Sequence, residues 1–154
     1  MSTPNFSYLK KLHVDDSATA RYCFEDINHE PILIVRHAGD SNPEFFNAVM
    51  KKSKGARRKA KTAKHLSGPE VVRALEEARK VDVELFVKYI VVGWEDVHDT
   101  DGELVEFSPE VCKQFLDLIP LDMFHEFRNF CLDINNFRDI EEMEDEELEE
   151  LQGN

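Results

Sequence analysis

The chain has 154 residues, 42% of them hydrophobic, and a formal charge of −13. That length suits one domain with a tail and can bury an adequate core, while no stretch approaches the ~20 apolar residues that a membrane-spanning helix needs. Three scattered cysteines, Cys23, Cys112 and Cys131, exclude a disulfide framework and fit a reducing compartment.

Residues 1–17 are polar and mixed, without a clear period or an apolar run that could form a signal-peptide core. The expected location is therefore soluble and cytosolic. Ala18–Phe24 and Ile32–Val35 read as two short strands around a turn-rich segment ending at Pro31, and the β-branched run Ile32-Leu-Ile-Val35 suits a buried strand. Two strands alone are marginal in water, so they must pack on helices or pair with another chain.

Pro43 fits the first position of a helix that Asn42 or Ser41 caps. Phe45, Phe46, Val49 and Met50 form its apolar end. Between Lys51 and Lys64 there are eight Lys or Arg and no acid. These lie around most of a helix and lack interleaved aromatics, so a solvated helix, or one that folds back against the acidic C-terminal tail, is favoured over a nucleic-acid contact. Ser67 before Gly68-Pro69 starts the next helix, with Val72, Leu75, Val83, Phe86, Val87 and Ile90 on its buried side and a break expected near Val81-Asp82.

Tyr89 to Trp94 is strongly apolar, and Asp99-Thr-Asp-Gly102 is a turn signature. A calcium loop with Gly102 in sixth place would put Val97 first and Ser108 twelfth, so two essential oxygen ligands are missing and a plain turn is expected. Ser108-Pro109-Glu110 opens a helix with Ser as cap, burying Val111, Phe115, Leu116 and Ile119 until Pro120. Met123, Phe124, Phe127, Phe130, Cys131 and Ile134 mark one more, on which His125 is expected to be partly buried. Nine acids and no base fall between Asp139 and Glu150, and without them the rest of the chain carries only −4. Such a segment is expected to be a disordered, solvating tail, though its Ile140, Met143, Leu148 and Leu151 also suit a short amphipathic helix on a basic partner.

The expected fold is α+β: a mainly helical single domain over 1–138, with a small N-terminal β-hairpin and four or five helices, followed by the acidic tail 139–154. No histidine pairs with a Cys or another His at ligand spacing, and no nucleophile or phosphate-loop motif occurs. No metal, no cofactor and no enzyme activity are expected.

Residues Ile90–Glu110, with Gly93, Trp94, Asp101, Gly102, Phe107 and Pro109, resemble a pattern of the tail assembly chaperones of long-tailed bacteriophages. That pattern is a helix ending in Gly-Trp-Glu, an Asp-Gly hairpin, then Phe-Ser-Pro-Glu opening a helix. Val35–Asn42 resembles the same family's strand, Ala-Gly turn and Asn before a helix, and Leu121–Arg138 its closing helix. The resemblance covers about residues 32–138. It implies a non-catalytic protein of the host cytoplasm that coats the tape measure protein, hands it to the tail-tube protein and leaves before the virion is complete. Whether the chain forms a homo-oligomer stays open. A groove for the tape measure helix would draw on Phe45, Phe46 and Met50, or on Met123, Phe124 and Phe127, with a core role for both sets as the simpler reading. Trp94 and Phe107 are expected to be scaffold. The alternative is a structural tail or head–tail junction protein retained in the virion.

Overall fold

A computed structural model describes residues 3–62 and 68–138, with side chains of 53–62 excepted. The strands β1 (Thr19–Cys23), β2 (Ile32–Arg36) and β3 (Val91–Glu95) form one antiparallel sheet in the order β1-β2-β3. β2 is central, and alternation along it decides which side is core. Leu33 and Val35 are fully buried, whereas Ile32, Ile34 and Arg36 are half-buried on the other face. Phe24 N–H donates to Pro31 O at 2.9 Å to close the ladder, and the turn beyond it holds His29 and Glu30 at φ 70° and 48°, a conformation that disfavours most side chains.

The third strand corrects the expectation of a two-stranded hairpin and of a helix running into Gly-Trp-Glu. The preceding helix ends at Tyr89, and Ile90-Val91-Val92 then favours extended backbone through β-branching. Its pairing gives β2 a partner on both sides. The register shifts between Ile34 and Val35, so that Gly93 opposes Ile34 and Val91 opposes Val35. This bulge lets Val91 and Trp94, three residues apart, both serve the core face.

Among the described residues four α-helices accompany the sheet: α1 (Pro43–Thr62), α2 (Gly68–Tyr89), α3 (Pro109–Leu118) and α4 (Leu121–Leu132). Asn42 caps α1, its Oδ1 accepting from Phe45 N–H at 3.4 Å, and its Nδ2 donates to Tyr89 O at 3.1 Å. One buried amide thus serves an orphan group at the start of α1 and one at the end of α2. α2 is continuous, without the expected break at Val81-Asp82, because no Gly or Pro interrupts it and Val83, Leu85 and Phe86 anchor that turn in the core. Pro120 forces Ile119 into extended backbone (ψ 150°) and separates α3 from α4. Arg79 secures that corner. Its guanidinium donates to Leu116 O at 2.6 Å and to Ile119 O, carbonyls that end α3, and lies 5.6 Å from the Phe124 ring centre.

The core sits between the inner sheet face and α2, α3 and α4. Phe86 meets Phe45, Phe124 and Phe127 at 5.7–5.9 Å between ring centres, and Tyr22 meets Phe127 at 5.3 Å. Each such buried ring contributes roughly 1.5–3 kcal/mol. His125 is exposed, contrary to expectation, because it follows Phe124 by one residue and so turns away from the core. A 3-10 helix, Ser7–Leu12, precedes β1, and Arg138 donates to Leu12 O at 2.9 Å. The acidic tail and most side chains of the basic segment lie outside the described residues.

Candidate partner-binding surface

Two features of the surface could serve a binding protein: the turn that joins β3 to α3, and the outer part of the α1–α2 pair. In the turn, Asp99 does the organising. Its Oδ1 accepts from Asp101 N–H at 2.9 Å and Glu103 N–H at 3.0 Å, and its carbonyl accepts from Gly102 N–H at 3.0 Å. Gly102 has φ +82°, which glycine alone adopts without penalty. Asp101 contributes its backbone and is exposed. Asp99 was legible as part of the turn signature but not as its hub, since only the fold shows which carboxylate bends back.

Trp94 closes this segment on itself. Its Nε1 donates to Val105 O at 2.9 Å, and its ring meets Phe107 at 5.3 Å and Phe115 at 6.0 Å. Ser108 Oγ accepts from Val111 N–H at 3.2 Å, with Pro109 in the first turn. The expected scaffold residues are therefore one packed latch. Gly93 opposes Ile34, and a Cβ there would sit in ordinary contact at 3.7 Å from Ile34 Cδ1, so its smallness is not demanded by space.

The expected groove residues divide. Phe45, Phe124 and Phe127 are buried at 7%, 1% and 0% exposure and belong to the core; Met123 is half-buried. Rings that fill the space between sheet and helices are out of a partner's reach. Phe46 and Met50 are on the surface, at 43% and 50%. The structure thus separates the Phe45/Phe46 pair, leaving Phe46 and Met50 on the surface, and buries Phe124 and Phe127 of the other set.

Val72 and Leu75 also depart from expectation. They are exposed at 55% and 50%, and Val71 at 43%, because α2 has passed beyond α3 and α4 by this point. From Gly68 to Ala78 every residue of α2 is exposed. The signal was present in the sequence as apolar spacing, but spacing does not say whether a neighbouring element reaches that far.

Sequence reading also missed a buried polar hub. His37 is 6% exposed, its Nδ1 2.6 Å from Ser41 Oγ and its Nε2 3.1 Å from Leu132 O. It joins β2 to the end of α4. Gly39 makes this fit, since a Cβ there would lie 2.4 Å from His37 Cε1.

Electrostatics adds little reactive chemistry. Burial pushes the Cys112 thiol up to about 12 and the Cys131 thiol higher still, which leaves both as inert packing groups. On the outer sheet face, Arg21 Nη1 donates to Glu95 Oε1 at 2.8 Å and Nη2 meets Oε2; this hydrogen bonding holds the Glu95 carboxyl below its ordinary value. Among the described residues no group of three His, Cys, Asp or Glu is placed to hold a metal, and no helix is long and apolar enough to cross a membrane.

A family model described as YdaY prophage protein matches residues 40–154, well over half of the chain. The chain belongs to that family. Its context is therefore that of a bacteriophage. The match takes in the latch and both parts of the α1–α2 pair, and it begins after β2. No curated protein and no solved structure gives a match.

Proposed function

We propose that this prophage-family chain is a tail assembly chaperone, a binding protein without catalytic chemistry. It holds the tape measure protein in soluble form, helps recruit tail-tube protein, works in the host cytoplasm and is absent from the finished virion. The observation that carries the reading is the packed latch from β3 to α3. Gly93-Trp94-Glu95, the Asp-Gly turn, Phe107 and Ser108-Pro109-Glu110 follow in the order that resembles such chaperones, within a chain whose family is of phage origin.

Physical chemistry supports the same job. A tape measure chain displays long apolar helical stripes that aggregate when bare. A holder needs exposed apolar residues on a rigid support, which α2 supplies at Val71, Val72 and Leu75. It also needs like charge to keep coated complexes apart, which a charge of −13 supplies.

The test is co-expression with the tape measure protein of the same genome, scored by that partner's soluble yield. Co-purification with a raised yield is expected. Two well-expressed proteins that neither associate nor change solubility would sink the reading, and recovery of the chain in purified virions would favour a structural tail or head–tail junction protein.

A further inference from the structure

Two apolar features lie on the surface of this chain. The first is the N-terminal 3-10 helix Ser7–Leu12, none of whose residues is buried. Leu9 N–H donates to Phe6 O at 2.9 Å, and side chains three residues apart in such a helix eclipse one another. Phe6, Leu9 and Leu12 therefore form one ridge, exposed along its length. Lys10 and Lys11 accompany it, and no acid precedes Asp15. The second feature is a shelf where α2 projects past the α3–α4 corner. Val72 and Leu75 lie two turns and one turn before Arg79, on the same side of α2. Arg79 in turn bonds Leu116 O and Ile119 O at that corner. Exposed Leu75 thus stands beside Leu118, which is 84% exposed, and Leu121, which together flank Ile119 and Pro120. The chain around the shelf is acidic: residues 68–78 and 117–122 hold Glu70, Glu76, Glu77, Asp117 and Asp122 against Arg73 as the one base.

Ridge and shelf suit one another in polarity and in charge, yet within one chain neither covers the other. They sit at opposite ends of α4. The shelf adjoins its start, at Leu121. The ridge is rooted beyond its end, where Arg138 Nη2 donates to Leu12 O at 2.9 Å just after the 3-10 helix Ile134–Phe137. The length of α4 separates them by about 17 Å, whereas the helix Ser7–Leu12 is only about 12 Å long. A second copy with its α4 antiparallel brings each ridge to the other copy's shelf, and a two-fold axis lets both contacts close together.

We propose that the chain forms a two-fold dimer in which Phe6, Leu9 and Leu12 of each copy dock on Leu75, Leu118 and Leu121 of the other, with Lys10 meeting the acidic surround of the shelf. Each contact is small against the ~1,200 Å² of a stable interface, so the dimer is reversible and forms at protein concentrations on the order of tens of micromolar. A partner helix that uses the projecting part of α2 must displace the ridge. The dimer stands independently of the chaperone reading, since it rests on two surfaces of this chain alone.

Disulfide trapping between full-length chains tests it. Leu9→Cys and Leu118→Cys are made in separate chains, both with Cys23→Ser, so that the native thiols left, Cys112 and Cys131, are buried. Both positions are exposed, and the circular dichroism spectra should match that of the parent chain. Under mild oxidation the mixed chains should give several-fold more covalent dimer than either chain alone, with a yield that rises with concentration. Lys10→Glu in the Leu9→Cys chain should lower that yield several-fold. No excess of dimer in the mixture, or a yield that Lys10→Glu leaves unchanged, overturns the proposal. So does an intramolecular disulfide that forms at high dilution when one chain carries both substitutions, because the ridge would then cover its own shelf.

Discussion

The two ends of α2 are buried very differently. Its last third, with Val83, Leu85 and Phe86, is locked between the sheet and α3 and α4, whereas Val71, Val72 and Leu75 in its first third face solvent. Both ends are apolar at helical spacing. The difference teaches that amphipathic period reports a capacity for burial, and that the reach of neighbouring elements decides whether it is used. In this protein one continuous helix serves as core at one end and as a presented surface at the other.

Substitution should separate the ends sharply. Phe127→Ala removes a fully buried ring that touches Phe86, Tyr22 and Phe24, and it should cost about 3–5 kcal/mol in denaturant unfolding. Leu75→Ala should stay within about 0.5 kcal/mol. A comparable loss at both positions would mean that the outer part of α2 is as well packed as the core, and the contrast would fail.

The polar hub should rank next. Gly39→Ala drives a Cβ into a His37 ring already fixed by Ser41 and Leu132. The expected penalty is about 1–3 kcal/mol, typical of overpacking, read from the midpoint of thermal or urea unfolding. An unaffected midpoint would show that the ring moves freely and that β2 and α4 are not joined there. In the latch, Trp94→Phe keeps an aromatic ring against Phe107 but loses the hydrogen bond to Val105 O. The expected loss is about 1 kcal/mol, so the latch falls between the core and the exposed stripe.

Sequence chemistry was most legible where the determinant is local. Asn42 and Ser108 as caps, Pro120 as a separator and Gly102 in the turn each act within a few residues. What escaped depends on distant partners. β3 exists because β2 presents an unpaired edge to Val91–Glu95, more than fifty residues further along the chain. His37 is buried because Leu132 O and Phe137 arrive from the far end of the chain. Phe45 and Phe46 read alike, yet one is core and the other surface, since a single residue step turns a helical side chain by about 100°. For the binding surface, the sequence named Phe46 and Met50 but placed Val72 and Leu75 on the wrong side.

The mildest contrast lies where the buried and exposed parts of α2 meet. Asp82 is half-buried there, with Arg128 Nε 3.4 Å from its Oδ2. Burial raises its carboxyl above the ordinary value, and the opposing charges of Arg128, His125 and Lys52 offset this only in part. A carboxyl whose folded value is raised stabilises the fold while both states hold the proton, and that contribution is lost as pH rises through the folded value. Asp82→Asn keeps the shape and removes the ionisation. It should therefore be neutral below the ordinary carboxylate range and gain roughly a few tenths of a kcal/mol at pH 7, a small effect because the pair is partly solvated. Unfolding of both proteins across pH 3–7 measures this. If Asp82→Asn instead loses stability as pH rises, the Arg128 ion pair outweighs desolvation, and the junction of α2 is held by charge where the turns on one side of it are held by packing.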